Sequence, residues 1–290
     1  MITRKTRRLW TSLTVAGALV PASGALAGPE APDLPDTVTG LSAAHDTAVP
    51  GLLIFAQGGE GGEGGEGGEG GEGGEAGFDA SKAASDPTVY LIGLDVIRAH
   101  YIAGLASYVA GDTLAGAEMF AHARSEAYVE LEPALTTLGV PEFDDLMQKA
   151  GDLALSKAPV AEVSAAADAV FAAVDGAEAK APGKATIEIK TAVFADLLDR
   201  AALQYAKALR DSSGDAYLDG YGFLQAAKAR SAEVLAHLDT GQPEAAAAAR
   251  EALAALSAAY PSIKKPGDGA VKPGPSLVAT SKFRLALSSR

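Results

Sequence analysis

Apolar residues recur at helical spacing from residue 86 to residue 260, and no segment in this stretch alternates for long enough to predict a strand. Asp86 and Pro87 are typical of a helix N-terminus, because Asp can cap the helix and Pro is favoured in its first turn. Glycines and prolines then divide the stretch into helices near 87–110, 112–139, 141–157, 159–175, 185–209, 216–239 and 243–260. The pattern predicts an all-α fold, a helical bundle of about seven helices built from antiparallel helical hairpins.

The first predicted helix is apolar on nearly every side and is interrupted only by Asp95, Arg98 and His100. Such a helix is expected in the middle of a bundle. It is not expected to span a membrane, because each charge near the centre of a bilayer would cost about 2.5–3.5 kcal/mol. Gly93 and Gly104 lie three turns apart on one side of it and should allow a neighbouring helix to approach closely. The second predicted helix is expected to be interrupted at Pro133.

The N-terminus is typical of an export signal. A basic segment, Met1–Arg8, precedes a mildly apolar run and the small residues Ala25-Leu26-Ala27. This order predicts a signal peptide at residues 1–27, cleaved near Ala27, and therefore an exported, periplasmic protein. Because Thr6–Trp10 resembles a twin-arginine motif, both the general secretory route and the twin-arginine route stay open.

Two segments flank the predicted bundle. Residues 28–85 lack a helical period and contain Gly-Gly-Glu six times within 58–75. Since glycine loses much entropy on ordering and glutamates repel one another, 28–85 is predicted to be a disordered leader. Residues 261–290 are rich in Pro, Gly and basic residues. They are predicted to form a basic tail, either solvated or docked on the acidic body.

Composition narrows the classes of function. The chain has 290 residues, a formal net charge of −13 and no cysteine. The missing cysteines exclude disulfide scaffolds, thiolate zinc sites, iron–sulfur clusters and cysteine nucleophiles. The acidity argues against nucleic acid as the main partner. Phosphate-binding loops, dinucleotide fingerprints, zinc-protease motifs and nucleophile elbows are also absent from the sequence, so a non-enzymatic protein is expected.

One constellation predicts a metal site, formed by His100, Glu118, His122 and Glu126. The last three follow one stripe of the second predicted helix, at positions i, i+4 and i+8. His100 and His122 lie at similar distances before and after the turn at Gly111, so an antiparallel hairpin places them at similar heights. Two imidazoles and two carboxylates suit Zn, Fe or Mn, and imidazole also suits Cu.

A helical wheel supports a competing hypothesis. At about 100° per residue, His122 points nearly opposite the apolar face of its helix, so the two imidazoles should point in different directions. His100 would then be a buried, hydrogen-bonded core residue, and Glu118, His122 and Glu126 would form an exposed stripe. The apolar face consists of Ala117, Phe120, Ala127 and Leu131.

Tyr-Leu-Asp-Gly-Tyr-Gly-Phe-Leu-Gln-Ala-Ala at 217–227 resembles a helical segment of imelysin-like periplasmic proteins, a family that includes the EfeO-type proteins of iron uptake. The resemblance covers about 216–263, and the alanine-rich helical pairs agree with it. It implies an all-α fold and a role in iron or other metal homeostasis. The Gly-x-His-x-x-Glu metal motif of the family is absent here, so no site residue is transferred from it.

These observations predict an exported, non-enzymatic helical-bundle protein that binds a small ligand or a divalent metal ion in metal homeostasis. The alternative is a structural or interaction module, a helical-hairpin scaffold on a flexible tether with a protein partner. A third hypothesis, which follows from the resemblance, is an imelysin-type hydrolase. None of these hypotheses includes a nucleic-acid partner or a transmembrane segment.

Overall fold

The computed structural model describes residues 77–267 and 269–289, and all regular structure within them is helical. A 3-10 helix (Ala80–Lys82) comes first, and a π-helix (Ala123–Tyr128) joins α2 to α3. The α-helices are α1 (Pro87–Val109), α2 (Thr113–His122), α3 (Val129–Thr137), α4 (Asp144–Leu155), α5 (Val160–Glu178), α6 (Ile187–Arg210), α7 (Gly214–Gly241), α8 (Pro243–Ala259) and α9 (Gly274–Ser288). The predicted all-α helical bundle is confirmed. The predicted signal peptide and most of the predicted leader lie outside the described residues.

Helix α1 is the central helix and contacts α2, α5, α6 and α7. It begins where the sequence predicts, because the Asp86 carboxylate accepts hydrogen bonds from the backbone N–H groups of Thr88 and Val89. Among the described residues, α1 is the one helix that is long and apolar enough to cross a membrane, with a mean hydropathy of 1.3. In this fold, however, 67% of that window is buried against other helices, as expected for a core helix.

Two glycines allow α1 and α2 to form a tight antiparallel hairpin. A Cβ added at Gly116 would lie 2.8 Å from the carbonyl oxygen of Gly104, which is closer than a real Cβ can approach. Gly111, at φ +93°, reverses the chain between the two helices. The predicted close approach at Gly104 is thus confirmed, and it brings the two predicted histidine-bearing helices together.

An ion network neutralises the charges that α1 carries into the core. Asp95 is fully buried and accepts hydrogen bonds from Nε and Nη2 of Arg230 on α7, at 2.5 and 2.9 Å. The Nε atom of Arg98 lies 3.3 Å from the same carboxylate, and Glu178 of α5 accepts hydrogen bonds from both arginines. Burial opposes the charge of Arg230, but attraction by Asp95 and Glu178 outweighs burial and raises the pKa of Arg230 above its usual range. The network therefore joins α1, α5 and α7.

The helical body begins earlier than residue 86. Phe78, which the sequence assigns to the leader, is only 5% exposed. Its ring lies beside Gly93 of α1 and Leu131 of α3. Buried Ala83 and a hydrogen bond from Arg200 to the carbonyl oxygen of Gly77 also anchor this short segment, and such scattered contacts have no periodicity by which the sequence could reveal them.

The body also extends beyond residue 260, because the predicted tail contains α9, which packs on α6 and α8. Phe283 is fully buried, and its ring centroid lies 5.7 Å from that of Phe194 on α6. Ion pairs join Arg284 to Asp199 and Lys282 to Glu251. Of the two hypotheses for the tail, this structure agrees with docking on the acidic body.

We expect Phe283→Ala to lower the free energy of unfolding by about 3–5 kcal/mol, because it leaves a cavity against Phe194. Leu285→Ala is the matched control. Leu285 is 68% exposed on the same helix, so its loss should change stability by less than about 0.5 kcal/mol. Urea unfolding followed by circular dichroism measures both effects. Equal losses in the two variants would contradict docking through Phe283.

We expect Arg230→Met to lower the free energy of unfolding by about 3 kcal/mol. The substitution removes the bidentate partner of buried Asp95 and leaves Arg98 as its remaining cation, so the loss should fall near the low end for a broken buried ion pair. The control is Arg250→Met, because the Arg250–Asp239 pair is about half exposed on both sides. Surface pairs contribute little. Comparable shifts of the urea midpoint in both variants would argue against a structural role for the network.

Candidate metal centre

Three of the four residues predicted to form a metal site meet between α1 and the helix that follows it. His100 lies on α1, His122 is the last residue of α2, and Glu126 lies in the π-helix. One potential ligand atom from each of them lies within 4.8 Å of the others. The two imidazole centroids are 6.4 Å apart. The expectation that the imidazoles point in different directions is therefore wrong.

The helical wheel misplaces His122 because α2 is buried on more than its apolar face. Besides Ala117 and Phe120, Gly116 and Met119 are buried, and His122 lies three residues after Met119, at the edge of this wider buried side. After His122 the turn widens into the π-helix, in which the Val129 N–H donates to a carbonyl oxygen five residues earlier. The predicted interruption does not fall at Pro133, which lies inside α3.

Glu118, the fourth predicted residue, lies outside the group. It is exposed, one regular helical turn before His122. Glu126 is half-buried, one turn after His122 on the π-helix. The structure thus brings together His100, His122 and Glu126 and leaves Glu118 facing solvent.

The hydrogen bond of His100 defines which nitrogen can bind a ligand. His100 is 5% exposed, and its Nδ1 lies 2.8 Å from the carbonyl oxygen of Val96. Because a carbonyl oxygen can only accept, Nδ1 carries the hydrogen, and Nε2 of the neutral ring keeps its lone pair. Metal-binding histidines commonly donate their other N–H to a backbone carbonyl in this way. The predicted burial and hydrogen bond of His100 are confirmed, and both are compatible with a ligand role.

Asp219 on α7, which the sequence did not assign to the site, faces the same nitrogen. Its Oδ1 lies 3.4 Å from Nε2 of His100. This oxygen is buried and has no hydrogen-bond partner among the described residues. Burial raises the pKa of Asp219, and attraction by His100 and His122 partly opposes that rise. Nε2 of His100 and Oδ1 of Asp219 therefore face one another at 3.4 Å: they form an ion pair when the ring is protonated, and two acceptor atoms meet when it is neutral.

Gly222 explains how α7 reaches this position. A Cβ at Gly222 would lie 2.2 Å from the carbonyl oxygen of Ala99, so only glycine permits the contact with α1. Phe223 then packs edge-on against His100, with ring centroids 6.3 Å apart. The local sequence signal for Asp219 is its position one helical turn before Gly222, in the segment 217–227. It could not be connected to His100, because no local pattern relates residues so far apart in the chain.

Comparison of the chain with protein-family models, with curated proteins and with solved structures gave no match. The resemblance to imelysin-like proteins therefore stays a prediction. The function has to be argued from the geometry of this site.

In the metal-free protein, we expect His100→Ala to lower the free energy of unfolding by about 1–3 kcal/mol, because it removes a buried hydrogen bond and leaves a cavity. His122→Ala should cost about 0.5 kcal/mol or less, since His122 is only half-buried. Thermal unfolding in the presence of a chelator measures both. Losses of equal size would mean that the two imidazoles have similar structural roles.

Proposed function

We propose that this chain is an exported, non-enzymatic helical-bundle protein that binds a divalent first-row transition-metal ion and acts in metal homeostasis. The observation that carries the proposal is the convergence of ligand atoms from His100, His122 and Glu126 within 4.8 Å. The signal peptide predicted at residues 1–27 supports export. The resemblance of residues 217–227 to imelysin-like proteins supports a role with iron or another metal.

The donor set favours transition metals over Ca²⁺ and Mg²⁺. Two imidazole nitrogens and a carboxylate suit Zn, Fe, Mn or Cu, whereas Ca²⁺ and Mg²⁺ prefer oxygen ligands. Bonds of about 2.0–2.2 Å require neighbouring donor atoms to lie about 3–3.5 Å apart. In this structure the donor atoms lie up to 4.8 Å apart, so half-buried His122 and Glu126 have to move toward His100, which its bond to Val96 fixes.

Access to the site also fits a binding role. His100 is buried, whereas His122 and Glu126 are each half-buried and reach the surface. An ion can therefore enter from the solvent side and be held by the buried imidazole. The sequence contains none of the motifs for nucleophilic or phosphoryl-transfer chemistry that would indicate an enzyme.

We expect added Zn²⁺ or Mn²⁺ to raise the melting temperature of the chelator-treated full chain, because an ion that binds only the folded state stabilises it. At an ion concentration of about 100 times Kd, the gain should be about 2.7 kcal/mol. Replacing either histidine, by His100→Ala or His122→Ala, should abolish the rise, and Glu126→Gln should weaken it.

Glu118→Gln is the matched control, because Glu118 lies one turn before His122 but is exposed and outside the group. Its metal-dependent rise should equal that of the wild type. A wild-type melting temperature that no transition metal changes would contradict the proposal and favour the alternative function, a structural or interaction module. A control that loses the rise together with Glu126→Gln would place the ion elsewhere on the stripe.

A further inference from the structure

We infer that Asp219 is a fourth ligand of this site, so that the bound ion joins α7 to the hairpin of α1 and α2. The inference rests on the proposed function and adds a residue from a third helix. With Asp219 the ion has four protein ligands and no open coordination position, instead of three ligands and one open position.

The first argument is a distance. In tetrahedral coordination, two donors bound at about 2.0–2.1 Å lie about 3.3–3.4 Å from one another. The 3.4 Å between Nε2 of His100 and Oδ1 of Asp219 equals that separation. This separation is compatible with both atoms binding one ion, whereas Asp219 lies outside the group of three ligand atoms within 4.8 Å, so the donors have to move closer for all four to bind.

The second argument is the unsatisfied oxygen. A buried acceptor without a partner is destabilising, and Oδ1 of Asp219 is such an atom. Nε2 of His100 lies 3.4 Å away and, in the neutral ring, presents a lone pair, because Nδ1 donates to Val96. A cation between the two atoms satisfies both of them.

The third argument is charge. Two neutral imidazoles and the carboxylates of Glu126 and Asp219 have a formal charge of −2. A divalent ion makes this centre neutral, which favours a site that is largely removed from water. With only one carboxylate, the same ion would leave a net charge of +1 at the centre.

The fourth ligand also changes what the site can do. A metal centre with four protein ligands is closed, whereas catalytic centres keep a position for water or substrate. Ligation by Asp219 therefore favours holding the ion over performing chemistry on it. Since Asp219 belongs to α7, ion binding should also reduce the motion of α7 relative to α1.

The test compares Asp219→Asn with Asp215→Asn in the full chain. Asp215 lies one turn earlier on α7 and is exposed, so it is the matched control. Zn²⁺ affinity is measured by competition with a chromophoric chelator. Asp219→Asn should weaken Zn²⁺ binding at least about tenfold, a loss that even outer-shell partners of a metal can cause. Asp215→Asn should leave the affinity within about twofold.

Two further measurements separate ligation from structure. With Co²⁺ as a probe, the wild type should give the intense visible bands of a four-coordinate ion, and Asp219→Asn should give weaker bands. In the presence of a chelator, Asp219→Asn should unfold at the same temperature as the wild type or higher, because it removes an uncompensated buried charge.

Each other outcome overturns a defined statement. If Asp219→Asn binds Zn²⁺ as tightly as the wild type while His122→Ala does not, Asp219 is not a ligand and the proposed function still stands. If Asp219→Asn destabilises the chelator-treated protein as much as His100→Ala, the contact is a structural ion pair with protonated His100, and the inference is wrong. If the wild type binds no Zn²⁺ or Co²⁺, the proposed function itself fails.

Discussion

The contact between α1 and α7 is the constraint on which the rest of this structure depends. Because α1 is surrounded by helices, the polar groups that it carries into the core need partners from its neighbours. Helix α7 supplies two of them, Arg230 opposite Asp95 and Asp219 opposite His100. Between these contacts Gly222 allows the backbones to meet. Apolar packing alone would tolerate sliding, whereas two polar contacts on either side of a close approach define one register for the helix pair.

The two polar contacts differ in whether their buried polar atoms all have hydrogen-bond partners. Asp95 accepts both hydrogen bonds that Arg230 offers, and Glu178 completes the network, so this contact satisfies its polar groups. The contact of His100 with Asp219 leaves one buried oxygen without a partner. Both contacts lie between the same two helices and share their packing. General features of that interface therefore do not explain why one contact is satisfied and the other is not.

The sequence predicts those features that local patterns encode. Periodicity predicts the all-α bundle, the Asp86 cap predicts where α1 begins, and Gly111 predicts the turn that brings the two histidine-bearing helices together. The π-helix was not predictable, because it depends on how the helix packs and no residue type requires it. Asp219 and α9 were missed since each is recognisable only through a partner distant in the chain. These are also the features that complete the candidate site or close the bundle.

The elements that support the site are fixed before any ion binds. The π-helix is held on its far side by α4, where Arg124 forms a bidentate ion pair with Asp144 at 2.6 and 2.8 Å. His100 is fixed by its bond to Val96, and α7 is fixed by Arg230. Three supports therefore fix the ring of His100 and hold the helical segments that carry the other candidate ligands. π-helical turns are rare and are frequent at functional sites. This one begins directly after His122, contains Glu126 and is supported from α4.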